Sequence, residues 1–314
     1  MVQEISKIRT ILQEAICDCT SQHLALSGGL DSTILAYLLK EKKPKCLAII
    51  SQDHTANDLT YCQLAAQHFD LELAIQMCDI SQIIDGIEQT IRILKNFNDI
   101  EIRNNVVPFL AISDVKAQGF GGIITGDGAD ELFAGYNFLL NKTIPDLESD
   151  LKRIARIMHF PSHKLGEALG VKVESPFCSN SVKEFAKNTP ASEMIGIHND
   201  KKFGKFVLRQ AFDGLLPPQI VWRQKSPMQE GAGTQGLTEF FDRMIPDEMF
   251  LEKIKQIKQA DNVTIRSKES LYYYETYKKH HKLITARSDH SCPDCHYTIE
   301  KDSRFCRMCG RFPI

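Results

Sequence analysis

Ser27-Gly28-Gly29-Leu30-Asp31-Ser32 is the segment of this chain best suited to hold an anion. With no Cβ at Gly28 and Gly29, the backbone can close on a phosphate group. The apolar-periodic stretch 33–39 reads as a helix, so its free N–H groups and positive dipole end face the same anion. The hydroxyls of Ser27 and Ser32 add donors. A Walker-type loop would need Gly-Lys-Ser or Gly-Lys-Thr, and the chain has neither. The missing lysine points to a site that holds released pyrophosphate rather than one that transfers a γ-phosphate. An ordinary strand-to-helix turn explains the glycines, but not the serines around them or the aspartate inside.

Two carboxylates stand at matching places. Asp31 and Asp130 each follow a segment that reads as a buried strand, 23–26 and 122–125, and ligands of open parallel sheets bind beyond such strand ends. Together they can hold Mg2+ against a triphosphate while water completes the octahedron. A solvated pair of surface acids is the alternative. Lys225 can neutralise charge that builds on pyrophosphate and on a tetrahedral intermediate, although by itself it reads as a solvated loop lysine.

A second chemistry lies near residue 300. Cys292-Pro293-Asp294-Cys295 and Cys306-Arg307-Met308-Cys309-Gly310 are two C-x2-C turns. Such a pair presents four thiolates to one tetrahedral Zn2+ and leaves no open position, so a structural site is expected. A segment this short cannot fold on apolar burial alone, and metal binding would supply the folding energy. Disulfides are the alternative, disfavoured in a reducing compartment, and a ligand swap to His290 or His296 is the lesser option. Lys301, Arg304, Arg307 and Arg311 are offset by Asp294, Glu300 and Asp302, so no strong electrostatic footprint for RNA emerges. Whether this ribbon meets RNA, a protein or its own neighbouring lobe stays open. Cys17, Cys19, Cys46, Cys62, Cys78 and Cys178 are scattered and read as reduced, partly buried residues. The Cys17-Asp18-Cys19 pair lacks a redox context.

These residues need a scaffold. With 314 residues, 43% hydrophobic and 25% charged, the chain can bury a full core as one large domain or two. A net charge of −2 gives no global basic field. No signal-peptide pattern follows Met1, and no apolar run reaches the roughly 18 residues of a membrane helix, so a cytoplasmic protein is expected. Ile5, Ile8, Leu12, Ala15 and Ile16 recur at helical spacing. Segments 46–50 and 71–75 read as further strands, with helices over 58–68, 80–94 and 107–118. Strands alternating with helices predict a parallel sheet covered on both faces. From about 146 to 285 the apolar spacing is helical, as at Leu147, Leu151, Ile154, Ile157 and Met158, and it ends in an aromatic-rich helix over 271–283. Polar residues 285–290 lead into the cysteines.

The phosphate loop resembles that of the N-type ATP pyrophosphatases, Ser-Gly-Gly-x-Asp-Ser. Within them, the synthetase domain of asparagine synthetases and β-lactam synthetases is the nearest match. Thr125-Gly126-Asp127-Gly128-Ala129-Asp130-Glu131-Leu132-Phe133-Ala134-Gly135-Tyr136 resembles the family's second signature. Ser175-Pro176-Phe177 resembles its substrate-pocket segment, and Trp222-Arg223-Gln224-Lys225 with Gln229-Glu230-Gly231-Ala232-Gly233 its lysine loop. The resemblance implies an α/β fold, a doubly wound parallel sheet of the adenine nucleotide α-hydrolase kind. Residues 1–285 would form the synthetase-like domain, its sheet part at 20–136 and helical part at 146–285, with a zinc ribbon at 290–314. It implies ATP and Mg2+ as cofactors, and Lys225, Asp31, Asp130 and Glu131 as catalytic residues. ATP and pyrophosphate would meet Ser27, Gly28, Gly29, Leu30, Asp31, Ser32, Gly126, Asp127 and Lys225. Asp127, Lys172, Glu174, Ser179 and Glu230 would line the acceptor pocket.

The match also departs from the family. Its Pro-Phe segment continues Leu-Asp, preceded by Glu and Arg, where this chain has Cys178-Ser179, Lys172 and Glu174. Three charge changes predict an acceptor other than plain aspartate, unless they are compensated elsewhere. Glutamine-using relatives carry a cysteine after Met1 and a glutaminase domain, whereas Val2 follows Met1 here. Free ammonia, an amine, or the product of a separate glutaminase or carrier protein is therefore the expected nitrogen source. The implied function is a ligase that adenylates a small carboxylate and passes it to nitrogen. The alternative is an RNA-modifying (tRNA) adenylating enzyme, because similar loops, some with zinc ribbons, occur in tRNA thiolases. A catalytically dead partner subunit is disfavoured by Asp31, Asp130 and Lys225.

Overall fold

The computed structural model describes residues 2–283, 290–299 and 303–314, with side chains from residue 5. Residues 285–289 of the polar stretch, and Glu300, Lys301 and Asp302, lie outside the described residues. The chain forms two compact units. The first, Met1–Ile50, Ala56–Met77 and Ala111–Ala232, carries the central sheet. The second comprises Ser51–Thr55, Cys78–Leu110 and Gly233–Ile314.

Five short strands make the sheet: β1 (His23–Ala25), β2 (Lys45–Ser51), β3 (Leu73–Cys78), β4 (Gly122–Ile124) and β5 (Lys172–Glu174). Their order is β3-β2-β1-β4-β5. β1 pairs in parallel with β2 and β4, and β4 with β5, with Leu24 opposite both Cys46 and Ile124. β2 is buried continuously from Cys46 to Ser51, as expected of a parallel strand inside the sheet. α1 (Val2–Cys17) buries Ile8, Leu12, Ala15 and Ile16 as its period demands. α2 (Leu30–Leu39) is buried along Ile34, Leu35, Ala36 and Leu39, and α3 (Asp58–His68) along Cys62, Ala65 and Ala66. β1 leads outward to β2 and β3 on one side, while its other neighbour β4 leads to β5. The β1/β4 boundary is therefore the point where strand order reverses, the place beyond whose strand ends open parallel sheets bind ligands.

α4 (Ile80–Leu94) matches its expected span and carries a capping box, with Asp79 accepting from Gln82 N at 2.9 Å. α5 (Asp99–Ala117) begins eight residues before the spacing predicts, since Ile102 and Val106 extend its buried stripe. β3 starts two residues later than expected. The second unit contains the helices Leu237–Met244, Asp247–Asp261 and Lys268–His280. The stretch 146–285 is not helical throughout. It contains β5 and the hairpin of β6 (Gly196–His198) and β7 (Lys201–Phe203). Three-residue strands are too short for alternation to show against a helical period.

β5 carries a structural surprise. The Glu174 carboxylate accepts from Ser21 N at 2.8 Å and from Thr20 N at 3.1 Å, and pairs with Lys172 at 2.6 Å. Thr20 and Ser21 precede β1, whereas the phosphate loop follows it. Glu174 and Lys172 thus tie down the end of β1 remote from that loop. Burial pushes the Glu174 carboxyl up, but the Lys172 ammonium and the Ser21 and Thr20 donors outweigh it and bring it down to about 2. A depressed folded value stabilises the fold above the unfolded value of 4.5 and is lost as pH falls toward about 2. Urea midpoints of Glu174→Gln should lie below wild type at neutral pH and converge with it across that acidic window. A gap that stays constant with pH would contradict this anchor.

Candidate active site

The phosphate loop closes on itself before any ligand is considered. Ser27 and Ser32 hydroxyls lie 3.2 Å apart, Ser32 Oγ donates to Gly29 O at 3.2 Å, and Gly29 N donates to Ser27 Oγ at 3.3 Å. No side chain caps α2 at Gly29, so its first-turn N–H groups are not spent on a cap. Gly28 has φ of 70° and faces the backbone of Tyr61 and Cys62 so closely that a Cβ would overlap it. Both constraints demand glycine there.

Asp31 sits in the first turn of α2, and Asp130 in the first turn of α6 (Ala129–Leu132). The two loops touch: a Cβ on Gly126 would come within 3.1 Å of the Asp31 Cβ. Between the carboxylates stands a cation that sequence reasoning missed. Lys205 Nζ lies 2.5 Å from Asp31 Oδ2 and 2.7 Å from Asp130 Oδ1, and its side chain is only 4% exposed. Lys225 Nζ reaches Asp130 Oδ2 at 2.6 Å. Burial pushes the Asp130 carboxyl up, but the two ammonium groups outweigh burial and hold it well below the usual carboxylate range. Burial likewise pushes Lys225 down, and Asp130, then Asp31, raise it above the ordinary lysine value.

Glycines make this approach possible. A Cβ on Gly135 would overlap Asp130 Oδ1 and the Lys205 stem, and one on Gly204 would overlap the Ala134 carbonyl. Lys205 takes a left-handed backbone, φ 54°, and its N–H donates to Phe133 O at 2.8 Å. Gly135 was visible as part of a motif. Its partner Gly204-Lys205 carried no local signal beyond a glycine before a lysine.

The lysine loop is held from several sides. Trp222 stacks on His198 at 3.6 Å, and Arg223 pairs with Asp58 at 3.0 Å while its guanidinium lies 3.8 Å above the Tyr61 ring. The buried Arg209 donates to Gly204 O at 2.9 Å, to Arg223 O at 3.2 Å and to Val221 O. One guanidinium therefore positions both lysine-bearing segments.

The remaining expected site residues are dispersed. Asp127 Oδ2 accepts from Thr125 at 2.8 Å and Ser162 at 2.6 Å, at the end of β4. Glu131 is bonded by the Tyr136 hydroxyl, and burial, then Asp130, push its carboxyl up. Glu230 lies in the lysine loop, with Ser226 Oγ at 3.3 Å. Ser179 caps the helix Asn180–Asn188 through Val182 N, a role that an aspartate also fills. The structure does not bring Lys172 and Glu174 to the carboxylate pair, because their contacts are with each other and with Thr20 and Ser21. Leu30 and Ser32 are buried in the loop's helix.

The Asparagine synthase family model matches residues 8–151 and 146–291. The chain belongs to the asparagine synthase family. It is 26% identical over 265 residues to a probable glutamine-hydrolysing asparagine synthetase of Dictyostelium discoideum, over 73% of this chain and 46% of that protein. Identity is 25% over 306 residues with the glutamine-hydrolysing asparagine synthetase B of Escherichia coli (strain K12), covering 88% and 54%. The chain spans about half the length of these curated relatives. The NMN synthetase structure from Francisella tularensis covers 91% of this chain and 98% of its own at 12% identity, with a TM-score of 0.38; that likeness is too loose to bear on the chemistry. Among the described residues no helix is long and apolar enough to cross a membrane.

For a chain of the asparagine synthase family, a Mg2+ ion at the carboxylates is the group to test against the side chains. They fit it. Asp31 Oδ1 is buried with no hydrogen-bond partner among the described residues, and both carboxylates already converge on one ammonium group. Lys205→Met keeps the stem and removes the charge, leaving two part-buried carboxylates facing each other with Lys225 on Asp130 alone. ATP-dependent turnover should fall about 10²-fold or more, the scale of a lost preorganised charge. Turnover within about threefold of wild type would remove Lys205 from the site.

Proposed function

We propose that this chain adenylates a carboxylate with ATP, releases pyrophosphate, and passes the acyl group to ammonia or an amine, leaving an amide and AMP. The observation that carries this reading is the set Asp31, Asp130 and Lys225 gathered around the buried Lys205 beside the serine-glycine loop. The family, shared with named asparagine synthetases, supports the same class of ATP-dependent C–N bond formation.

The geometry supports the following roles. Ser27, Ser32 and the first-turn N–H groups of α2 would hold the departing pyrophosphate. Lys225 and Lys205 would offset its charge as the bond to the α-phosphorus breaks, and Lys225 would offset charge on the acyl intermediate. Mg2+, held by Asp31 and Asp130, would supply charge neutralisation on the triphosphate. Asp127 uses Oδ2 for Thr125 and Ser162, which leaves Oδ1 to receive an ammonium group of an acceptor. The expectation that the acceptor is not aspartate loses two of its three supports, because Lys172 and Glu174 are committed to the remote end of β1.

Pyrophosphate exchange into ATP, measured against a panel of carboxylates that includes aspartate and against tRNA, tests the proposal. One carboxylate should stimulate exchange, with AMP as the nucleotide product. Asp31→Asn and Asp130→Asn should abolish exchange, and Lys225→Ala should lower it about 10²-fold. Release of ADP and phosphate would defeat the adenylation mechanism, and stimulation by tRNA alone would favour an RNA-modifying enzyme.

A further inference from the structure

The two C-x2-C turns are built alike. In each, the first cysteine's carbonyl accepts from the residue four places on: Cys292 O from His296 N at 2.9 Å, Cys306 O from Gly310 N at 2.8 Å. In each, the first cysteine's N–H donates to the carbonyl five places on, Tyr297 at 2.9 Å and Arg311 at 2.8 Å. His296 (φ 57°) and Gly310 (φ 75°) both take the left-handed backbone that turns the chain back. All four sulfurs lie within 4.8 Å of one another, with Cys292 and Cys309 3.6 Å apart and Cys295 and Cys306 3.5 Å apart. A disulfide requires about 2.05 Å. Metal–sulfur bonds of about 2.3 Å arranged as a tetrahedron place sulfurs about 3.8 Å apart, close to the spacing found.

The outward contacts of the turns match as well. The third residue of each turn offers its carbonyl to a backbone N–H of the second unit: Asp294 O accepts from Thr264 N at 2.8 Å, and Met308 O from Phe97 N at 2.9 Å. The Asp294 carboxylate pairs with Arg266, and His296 Nε2 donates to Asn262 O at 3.0 Å. Gly310 lies against Asn98, where a Cβ would come within 2.8 Å of Oδ1. Phe97 is itself buried, edge-on to Tyr274 with centroids 5.1 Å apart.

We propose that the two turns bind one tetrahedral divalent ion of the zinc class, and that the loaded pair is a clamp inside the second unit. It joins the corner between α4 and α5 to the segment 262–266 that leads into the helix Lys268–His280. The ribbon's binding partner is this chain itself, not an RNA or a second protein. Without the ion nothing joins the four sulfurs, so the turns keep their shape only when loaded. Losing the ion frees both carbonyls at once, and the contacts at Phe97 and Thr264 fail together. This inference stands apart from the ligase reading, since none of its residues belongs to the carboxylate–lysine cluster.

The test uses the purified full chain. Elemental analysis should find one zinc per chain, and iron or no metal would overturn the assignment. Hydrogen exchange should then be followed before and after chelation. The Phe97 and Thr264 amides should each lose protection by about tenfold or more and recover when Zn2+ is returned. The Thr125 amide, bonded to Glu174 O at 2.9 Å in the first unit, serves as the unaffected reference. Unchanged protection at Phe97 and Thr264 in metal-free protein would overturn the clamp, as would loss at only one of them. Asp294→Ala keeps all four thiolates and the backbone carbonyl that bonds Thr264 N, so it should retain one zinc and lose protection at Thr264 only on chelation. Exchange at Thr264 in that zinc-loaded variant as fast as in metal-free wild type would also overturn it.

Discussion

Two carboxylates and two ammonium groups meet at the sheet's reversal point, with Lys205 buried and the others partly so, and much of the first unit exists to let them do so. Asp31 and Asp130 arrive on the first turns of separate helices, each launched from a neighbouring parallel strand. Side by side in a poorly solvated crevice, they would repel strongly without Lys205 and Lys225. A cluster of this kind is stable only when complete, because one missing partner leaves an uncompensated buried charge. The loops that supply it are therefore interdependent. Gly126, Gly135 and Gly204 permit the close approach, and Arg209 ties the two lysine-bearing segments to each other.

The second unit solves burial of charge differently. Glu269, almost fully buried, receives two bonds from Arg103 at 3.0 Å, with Thr238 at 2.8 Å and Tyr273 at 2.9 Å filling its remaining acceptor positions. Burial still pushes its carboxyl up, since the Arg103 cation only partly offsets desolvation. That network fixes α5 against the helix Lys268–His280. The cysteine turns brace the same two regions from their ends, at Phe97–Asn98 and at Thr264–Arg266. Aromatic packing of Phe97, Tyr274 and Tyr277 fills the space between.

Residues that act through their immediate neighbours were legible in the chain. The serine-glycine loop and the cysteine turns carry their geometry within six residues, and α1, α3 and α4 follow from apolar spacing alone. Lys172 and Glu174 show the opposite case. Their position in a motif suggested a pocket wall, but a three-residue strand carried Glu174 to Thr20 and Ser21, 153 and 154 residues away in sequence.

By itself, then, the sequence determined the serine-glycine loop, the two acids, the paired cysteine turns and the alternating architecture, because local conformation and periodicity encode each of them. Only the tertiary structure decided which cation stands between the acids. Lys205 is 174 residues from Asp31 and follows one unremarked glycine. Its role depends on three chain segments approaching to within a hydrogen bond, and no local pattern records an approach of that length.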